Sequence, residues 1–331
     1  MGKVKRLPVL LGAVAATLVV CASAQAGIVT VGSLSTAPST PATIGSPATL
    51  LNSSLGEVGA DVTSPVTGTI IRWHATGFAG GPFRLRVLSP LGGQNFLGSG
   101  TSGPSVPLGP GTETFSASLP INAGQTIAVD NANGSDKIGV VLAPTGSYSF
   151  FVPPLANGAS GTAVGPAVGA EFTFNAEVLP PPAFTALSPN AGSIKGGTPV
   201  LISGTNLIEV SAVRFGSVPA ASFVVQSENL ISAVAPAGPA LGPVDVTVTT
   251  PAGTTPVVAA DQFTYTACVV PKLAGKKLKG AKKRIRKAGC RVGKVKKTEG
   301  VTAKTGVVVK QNPKAGKILA PGAKVNVKLG Q

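Results

Sequence analysis

The chain has 331 residues, with 28 Lys and Arg against 12 Asp and Glu and a formal net charge of +16. It contains 43 Gly and 29 Pro, which favours many short strands joined by tight turns. One His, three Cys and one Met are too few for a zinc enzyme, a redox relay or a haem protein. We therefore expect no metal and no other cofactor.

Residues 1–26 have the pattern of a cleaved secretory signal peptide. Three basic residues precede an apolar stretch that ends near Cys21, and sites with small residues at alternate positions follow it. The stretch is about 15 residues long, whereas a membrane-spanning helix needs about 20. Val20 is too large for the position before a lipidated cysteine, which argues against a lipid anchor. We predict a secreted protein that does not span a membrane after signal cleavage.

Residues 27–179 alternate between apolar and polar side chains in several short segments, as strands do. Residues 83–87 place Phe, Leu and Val on one face and two arginines on the other, and residues 171–178 alternate throughout. No segment has a sustained helical period, so we predict a β-sandwich, with a jelly roll as one topology. The remaining candidate strands are residues 68–73, 125–130, 137–142 and 148–152.

Residues 130–136 contain several side-chain oxygens, which are the ligands that calcium prefers. Ala132 and Gly134 stand where an EF-hand loop needs ligands, so calcium is the weaker of two interpretations. Asn133 and Gly134 are typical of a two-residue turn, and we predict a hairpin between the flanking strands.

His74 is the one histidine and follows Trp73 in a predicted strand. A catalytic histidine needs a Ser or Cys partner, and the sequence places none beside it. Nucleophile-elbow, zinc-protease, Walker and dinucleotide-binding motifs are all missing from the sequence. We interpret His74 as structural and predict no catalytic residue.

Pro180, Pro181 and Pro182 form a stiff linker to residues 183–266. In that region Gly196, Gly197 and Gly204 are expected to supply turns, and the valines of residues 244–248 face one side of a strand. The motifs are LSPNAG at 187–192, GGTPV at 196–200, ISGTN at 202–206, VRFG at 213–216, VAP at 234–236, DVTVTTPAG at 245–253 and FTY at 263–265. Together they resemble an IPT/TIG domain, which implies an immunoglobulin-like β-sandwich.

Residues 268–331 are rich in lysine and contain the two cysteines that remain after signal cleavage. In an exported protein, Cys268 and Cys290 are expected to form one disulfide. Apolar residues recur at helical spacing from Leu278 to Ala288, and Gly289 is well placed to end that helix. Strands are predicted at 307–309 and 325–329.

The same region carries a second set of family motifs. They are VP at 270–271, Gly275, the helix around Ala281, AG at 288–289, Val308, QNPKAG at 311–316 and PGAKV at 321–325. They resemble a PASTA domain, which implies a small α+β module that contacts peptidoglycan.

Residues 268–331 contain nineteen Lys and Arg and a single acid, Glu299, for a charge of +18. Charge runs are usually solvated surface, but a field of one sign this strong attracts polyanions. Three of the nineteen cations are Arg and no residue is aromatic, which argues against a nucleic-acid partner. The predicted ligand-binding residues, which cover nearly every polar face of the helix, are Lys276, Lys277, Lys279, Lys282, Lys283, Arg284, Arg286 and Lys287.

These features predict a secreted, non-enzymatic protein of the bacterial cell envelope. The C-terminal module binds peptidoglycan or an anionic wall polymer, the IPT/TIG-like domain is a spacer or interaction domain, and the N-terminal β-sandwich serves recognition or adhesion, including contact with other envelope proteins. One alternative is an exported hydrolase that acts on glycans, with its site in residues 27–179. Another is a phage-like or spore-coat structural protein.

Overall fold

The computed structural model describes residues 27–35, 40–109 and 111–331. The predicted signal peptide, including Cys21, lies outside these residues. Within them 56% of the residues are in strands and there is a single α-helix, which confirms the mainly all-β prediction. No helix of the described residues is both long and apolar enough to cross a membrane.

The first twelve strands are β1 (Val29–Gly32), β2 (Thr40–Thr43), β3 (Ala48–Ser54), β4 (Gly68–Thr76), β5 (Phe83–Gly92), β6 (Asn95–Thr101), β7 (Thr112–Ile121), β8 (Thr126–Asn131), β9 (Lys137–Phe151), β10 (Ser160–Thr162), β11 (Val164–Phe172) and β12 (Phe174–Leu179). They form two sheets. The smaller has the order β1-β12-β4-β7 and the larger β10-β6-β5-β8-β3-β9-β11, with β2 paired to β9.

The two sheets enclose a hydrophobic core, so this part of the chain is a β-sandwich, as predicted. Trp73 on β4 and Phe174 on β12 meet Phe83 of the larger sheet in that core, and all three are almost fully buried. Alternate residues of a strand point to opposite faces, so their apolar positions share one side. A second apolar cluster lies on the other side of the larger sheet, where residues 152–163 cover Leu88 and neighbouring side chains.

The alternating segment 171–178 is not one strand. β11 ends at Phe172 in the larger sheet, β12 begins at Phe174 in the smaller one, and Thr173 links the two. The Thr173 hydroxyl donates to the carbonyl oxygen of Thr76 at 2.6 Å. Glu171, which the alternation places on a polar face, is fully buried. A period of two assigns faces within one sheet but does not show where the chain changes sheets.

The predicted hairpin at Asn133 and Gly134 is wrong. β8 and β9 are not neighbours, because β3 lies between them in the sheet. The connection crosses the end of β3, where the backbone N–H of Gly45 donates to the carbonyl of Gly134 at 3.0 Å. A Cβ on Gly134 would come within 2.6 Å of the Gly45 carbonyl oxygen. The glycine therefore permits a close crossing, within a turn in which the Asp136 N–H donates to the Asn133 carbonyl at 3.1 Å but which joins no hairpin.

The second β-sandwich contains β13 (Ala183–Ser188), β14 (Ala191–Ser193), β15 (Pro199–Thr205), β16 (Ala212–Phe215), β17 (Val218–Pro219), β18 (Ser222–Ser227), β19 (Leu230–Val234), β20 (Gly242–Thr250), β21 (Gly253–Thr254), a 3₁₀ helix (Ala259–Asp261) and β22 (Gln262–Thr266). One sheet has the order β13-β15-β19-β18 and the other β14-β22-β20-β16-β17, with β21 beside β20. Its core contains Val246, Val248 and Phe263, as the alternation in β20 predicts.

The glycines of this sandwich have two different roles. Gly196 and Gly197 have φ of +78° and +80°, which only glycine adopts freely, and they form the predicted turn. Gly204 does not form a turn, because it lies within β15. A Cβ there would come within 2.4 Å of the Ala183 carbonyl oxygen, so the glycine allows close contact between strands.

The C-terminal module contains β23 (Cys268–Val269), α1 (Leu278–Lys287), β24 (Arg291–Lys297), β25 (Val307–Asn312), β26 (Ile318–Leu319) and β27 (Lys324–Gly330). Three strands form a sheet with the order β24-β27-β25, and β23 pairs with β26. The helix packs on one face of the sheet, where Ile285 meets Val308, Val325 and Leu329 in a closed core. The other face carries no helix.

Candidate functional site

The helix α1 forms because its apolar residues fall on one stripe. Leu278, Ala281 and Ile285 are buried against the sheet, as their spacing predicts. Gly289 has a φ of +69°, the left-handed conformation that ends many helices. A Cβ on Gly289 would also come within 2.5 Å of the Ala267 carbonyl oxygen, so a larger residue does not fit at this position.

The structure brings the eight predicted cations together on and just before α1. Lys276 and Lys277 precede its first turn, and the other six lie on the helix. All are exposed except Lys282, which is half-buried. No ion pair of the described residues involves any of them. We call the exposed side of α1, with these eight residues, the helix surface.

The helix dipole makes the two ends of the helix surface unequal. Arg284, Arg286 and Lys287 lie in the last turn, where the negative end of the dipole stabilises cations. Lys277 and Lys279 lie at the positive end, and the first turn contains no acid. Like charges four residues apart, such as Lys279 and Lys283, further destabilise a helix. The positive field at the start of α1 is therefore not neutralised within the module.

Cys268 and Cys290 form the predicted disulfide. It joins β23 to the segment that follows α1, so the 22-residue loop that it closes contains the whole helix surface. Both cysteines belong to the hydrophobic core of the module. The bond therefore ties the most highly charged part of the chain to its core.

The uncovered face of the sheet holds a set of lysines that our sequence analysis did not select. In the β24-β27 pair Lys296 lies opposite Lys328, and in the β25-β27 pair Lys310 lies opposite Lys328. The three therefore form one row across three strands, which we call the lysine row. The alternation in residues 324–328 already places the Lys residues opposite the valines, but the pairing of strands is needed to align the row.

The lysine row borders an open cavity of about 490 Å³. Asn326 lies beside Lys328 on the same face of β27, and its amide oxygen accepts a hydrogen bond from the backbone N–H of Lys294 at 2.7 Å. A Cβ on Gly293 would come within 2.1 Å of that oxygen, so the glycine allows Asn326 to lie there. The residues that line the cavity are Lys294, Lys296, Lys310, Gln311, Asn312, Asn326, Val327 and Lys328.

His74 lies at a polar cavity of about 370 Å³ on the outer face of the smaller sheet. Its Nε2 is 3.0 Å from Glu177 Oε1 and its Nδ1 is 2.8 Å from the Thr114 hydroxyl. Arg72 binds Glu177 and also Glu209 of the second sandwich. Burial opposes ionisation of Glu177, but hydrogen bonds from Arg72 and His74 lower its pKa overall. The contacts of His74 are thus with a Thr and a Glu, and neither is the Ser or Cys that a catalytic histidine needs.

Two carboxyl groups of the first sandwich, Glu57 and Glu171, lie in contact. Glu171 accepts hydrogen bonds from the Ser33 hydroxyl at 2.5 Å and from the backbone N–H of Gly56 at 2.6 Å. Burial, a hydrogen bond with Glu171 and its negative charge together raise the pKa of Glu57. Glycoside hydrolases separate their carboxyl groups by about 5 Å or more so that a sugar or a water fits between them. The contact between Glu57 and Glu171 does not have that geometry.

This contact predicts a pH-dependent stability. Because the pKa of Glu57 is raised in the folded state, the folded protein binds a proton at Glu57 more tightly than the unfolded protein does. Stability therefore falls as the pH rises from 4.5, the ordinary pKa of a glutamate, through the higher pKa of Glu57 in the folded state. Glu57→Gln removes this loss, and we expect a higher free energy of unfolding than the parent at pH 7 and no gain at acidic pH. Urea titrations across this pH range measure it, and equal pH profiles for the two proteins would contradict it.

The oxygens proposed for calcium are used within the protein. Asp130 pairs with Arg86 in the interior, and Asp136 accepts hydrogen bonds from the backbone N–H groups of Gly81 and Asn133, each at 2.9 Å. No group of three or more His, Cys, Asp or Glu that could hold a metal occurs within the described residues. The hydrogen-bonding roles of Asp130 and Asp136 explain their position without a metal ion.

Comparison with known proteins identifies two domains in the chain. The family model for the IPT/TIG domain matches residues 182–265, and the model for the PASTA domain matches residues 269–331. No curated protein matches. Two similar solved structures are full extracellular regions of plexin A4, one with domains 1 to 8 and the other with domains 1 to 10.

Both plexin structures are 16% identical to this chain, with TM-scores of 0.24 and 0.25. The matches cover 61% and 63% of this chain but 18% and 16% of the plexin chains, so the chain spans less than a fifth of either. The two domains fit an extracellular or envelope protein and suggest an adhesion or binding module. The chain carries an IPT/TIG domain at residues 182–265 followed by a PASTA domain at residues 269–331.

Proposed function

We propose that this protein is exported and binds peptidoglycan or an anionic cell-wall polymer through its PASTA domain, without catalytic activity. The observation that carries the proposal is a charge of +18 on a domain whose family is commonly associated with peptidoglycan. In the proposal the N-terminal sandwich serves recognition or adhesion, and the IPT/TIG domain is a spacer or an interaction domain.

The helix surface supports this proposal because its cations form no ion pair with the part of the chain that the structure describes. Eight positive side chains within twelve residues create a field that extends about 8–10 Å into a physiological salt solution. Such a field raises the rate at which an anionic polymer meets the domain, and salt weakens it. A polymer network in the envelope presents many anionic groups to one domain, so weak contacts add up.

The environment of four carboxyl groups in the first sandwich argues against the hydrolase alternative. Asp130 is bound by Arg86, Glu177 is bound by Arg72 and His74, and Glu57 and Glu171 contact each other instead of standing about 5 Å or more apart as in glycoside hydrolases. These residues therefore support the fold of the sandwich. A recognition surface, unlike a glycan hydrolase, does not need a pair of catalytic carboxyl groups.

The proposal is tested with the full-length chain and purified cell-wall sacculi, with and without their anionic polymers, over a salt series. We compare the parent with a helix variant, in which Lys279, Lys283 and Lys287 are replaced by Gln. A control variant loses the same three charges elsewhere, through Lys137→Gln, Lys195→Gln and Arg214→Gln. All six side chains are exposed.

We expect the parent to be retained, and the helix variant to be retained about three- to tenfold less at low salt, because each lost cation weakens the long-range attraction. The control variant should behave like the parent. Equal losses in both variants would show that net charge alone matters, and no retention of the parent would refute the proposal. Release of soluble sugar from the sacculi would support the hydrolase alternative.

A further inference from the structure

We propose that the lysine row is a binding site for a linear phosphodiester polymer that lacks bases. The residues that contact the polymer are Lys296, Lys328 and Lys310, which lie on the face of the β24-β27-β25 sheet opposite α1. The inference rests on the proposed function in that the domain meets anionic polymers. It specifies which face of the domain binds the polymer and which chemical class of polymer that face binds.

The pairing of the strands fixes the spacing of the three side chains. Lys296 and Lys310 both lie opposite Lys328, and neighbouring strands are about 4.8 Å apart. The three side chains therefore leave the sheet along a line of about 10 Å. A line of this length crosses more than one phosphate of an extended polymer, so the site favours a chain over a single ion.

The row is unfavourable for the folded domain without a ligand. Like charges directly opposite each other destabilise a sheet. Glu299 is the one acid between residues 268 and 331, and no described ion pair involves a lysine of the row. An anion supplied from outside the domain would remove the repulsion between Lys328 and both its neighbours.

The chemistry of the cavity suits phosphate groups separated by hydroxyl groups. The ammonium group of lysine binds phosphate as a compact point charge, without the bidentate geometry that the planar fork of arginine offers to carboxylates and phosphates alike. Four lysines and no arginine line the cavity. Asn326 uses its amide oxygen for Lys294, which leaves its amide nitrogen to donate to a hydroxyl between two phosphates.

The absence of aromatic residues from the sequence 268–331 distinguishes this polymer from a nucleic acid. Proteins that bind single-stranded nucleic acids stack the bases on aromatic rings, and each stacked base adds affinity. The PASTA domain offers no such ring. The row therefore contacts the phosphodiester backbone alone, and bases bring no added affinity.

The lysine row and the helix surface are on opposite sides of the domain, because Ile285 and Ala281 bury the inner side of α1 on the other face of the sheet. The two surfaces are therefore expected to act on different steps of binding. Exposed charges at a distance mainly change the association rate, and groups that contact the ligand mainly change the dissociation rate. Substitutions on the two surfaces can be matched in charge and compared.

The experiment uses three full-length proteins: the parent, the helix variant defined above and a row variant with Lys296→Gln, Lys310→Gln and Lys328→Gln. Both variants lose three positive charges. The probe is an immobilised synthetic glycerol-phosphate oligomer, and kon and koff are measured over a salt series. We expect the row variant to raise koff at least about tenfold and to lower the slope of log affinity against log salt by about two to three. The helix variant should lower kon and leave koff within about twofold.

Equal changes in kon and koff for the two variants would overturn the inference, because net charge alone would then explain binding. Stronger row-dependent binding of a polygalacturonate chain would overturn the choice of phosphate. If oligo(dT) bound more tightly than the glycerol-phosphate oligomer, and this binding needed the lysine row, the row would be assigned to nucleic acid instead.

The sacculi separate this inference from the proposed function. If the parent and the row variant were retained equally on sacculi, the proposed function would stand and this inference would be refuted. If the oligomer bound the parent more tightly than the row variant but no protein were retained on sacculi, this inference would stand and the proposed function would be refuted.

The thermal stability of Lys328→Gln gives a second measurement. This substitution removes the repulsion with both neighbours, so we expect the Tm of the PASTA domain to rise by a few degrees while affinity for the oligomer falls. A loss of affinity caused by damage to the fold would instead lower the Tm. A lower Tm would therefore contradict this account of the row.

Discussion

Arg86→Met is expected to destabilise the N-terminal sandwich by about 3–5 kcal/mol, because it leaves a buried carboxylate without its cation. Arg86 lies on β5 and contacts Asp130 on β8 through Nε at 2.9 Å and Nη2 at 2.7 Å. Their side chains are 7% and 11% exposed. In the variant Asp130 keeps the Thr49 hydroxyl as a donor but loses the ion pair that it forms with Arg86. Urea denaturation measures the loss as a shift of the midpoint.

The matched control is Arg84→Met, two residues earlier on the same strand. Arg84 is exposed and contacts a backbone carbonyl oxygen, that of Ser102, at 3.2 Å. Its replacement should change stability by less than about 0.5 kcal/mol. A double variant, Arg86→Met with Asp130→Leu, should recover most of the loss because the unpaired charge is gone. If Arg86→Met were as mild as Arg84→Met, the ion pair would not support the sandwich.

These two arginines also show what local sequence can predict. The alternation in residues 83–87 correctly separates the core face of β5 from the opposite face. It does not show that Arg86 is buried, because the residues that cover it come from elsewhere in the chain. Asn157, for example, accepts a hydrogen bond from Arg86 at 2.6 Å. A pattern of period two contains no information about such distant contacts.

The PASTA domain shows the same division between local and distant information. The stripe of α1 and its end at Gly289 depend on residues within one turn of each other, and both were predictable. The lysine row depends on the register of three strands, which joins Lys328 to residues 32 and 18 positions earlier in the chain. The cations of the helix were therefore predictable from the sequence, and those of the sheet were not.

The same reason explains the errors in the first sandwich. Asn133 and Gly134 have the composition of a hairpin turn, and local composition does not reveal that β3 inserts between β8 and β9. The contact of Glu57 with Glu171 likewise joins a loop to a strand more than a hundred residues later. Both features are set by sheet order, which follows from the packing of the whole sandwich.

Removal of the disulfide, through Cys268→Ala with Cys290→Ala, is expected to destabilise the PASTA domain by about 3 kcal/mol or more. Closing a loop of 22 residues accounts for about 3 kcal/mol in the chain-entropy model. The α-helix in this loop has ten residues, too short to be stable alone in water. Repulsion among its cations adds to the loss, so added salt should stabilise the variant more than the parent.

Thermal unfolding followed by circular dichroism and calorimetry tests this prediction in the full-length chain. We expect the transition of the PASTA domain to move to lower temperature, and the transitions of the two sandwiches to stay where they are, since neither contains these cysteines. A reducing agent should produce the same shift in the parent and none in the variant. An unchanged transition in the reduced parent would show that the core alone holds α1. A shift that salt does not reduce would show that repulsion among the cations contributes little.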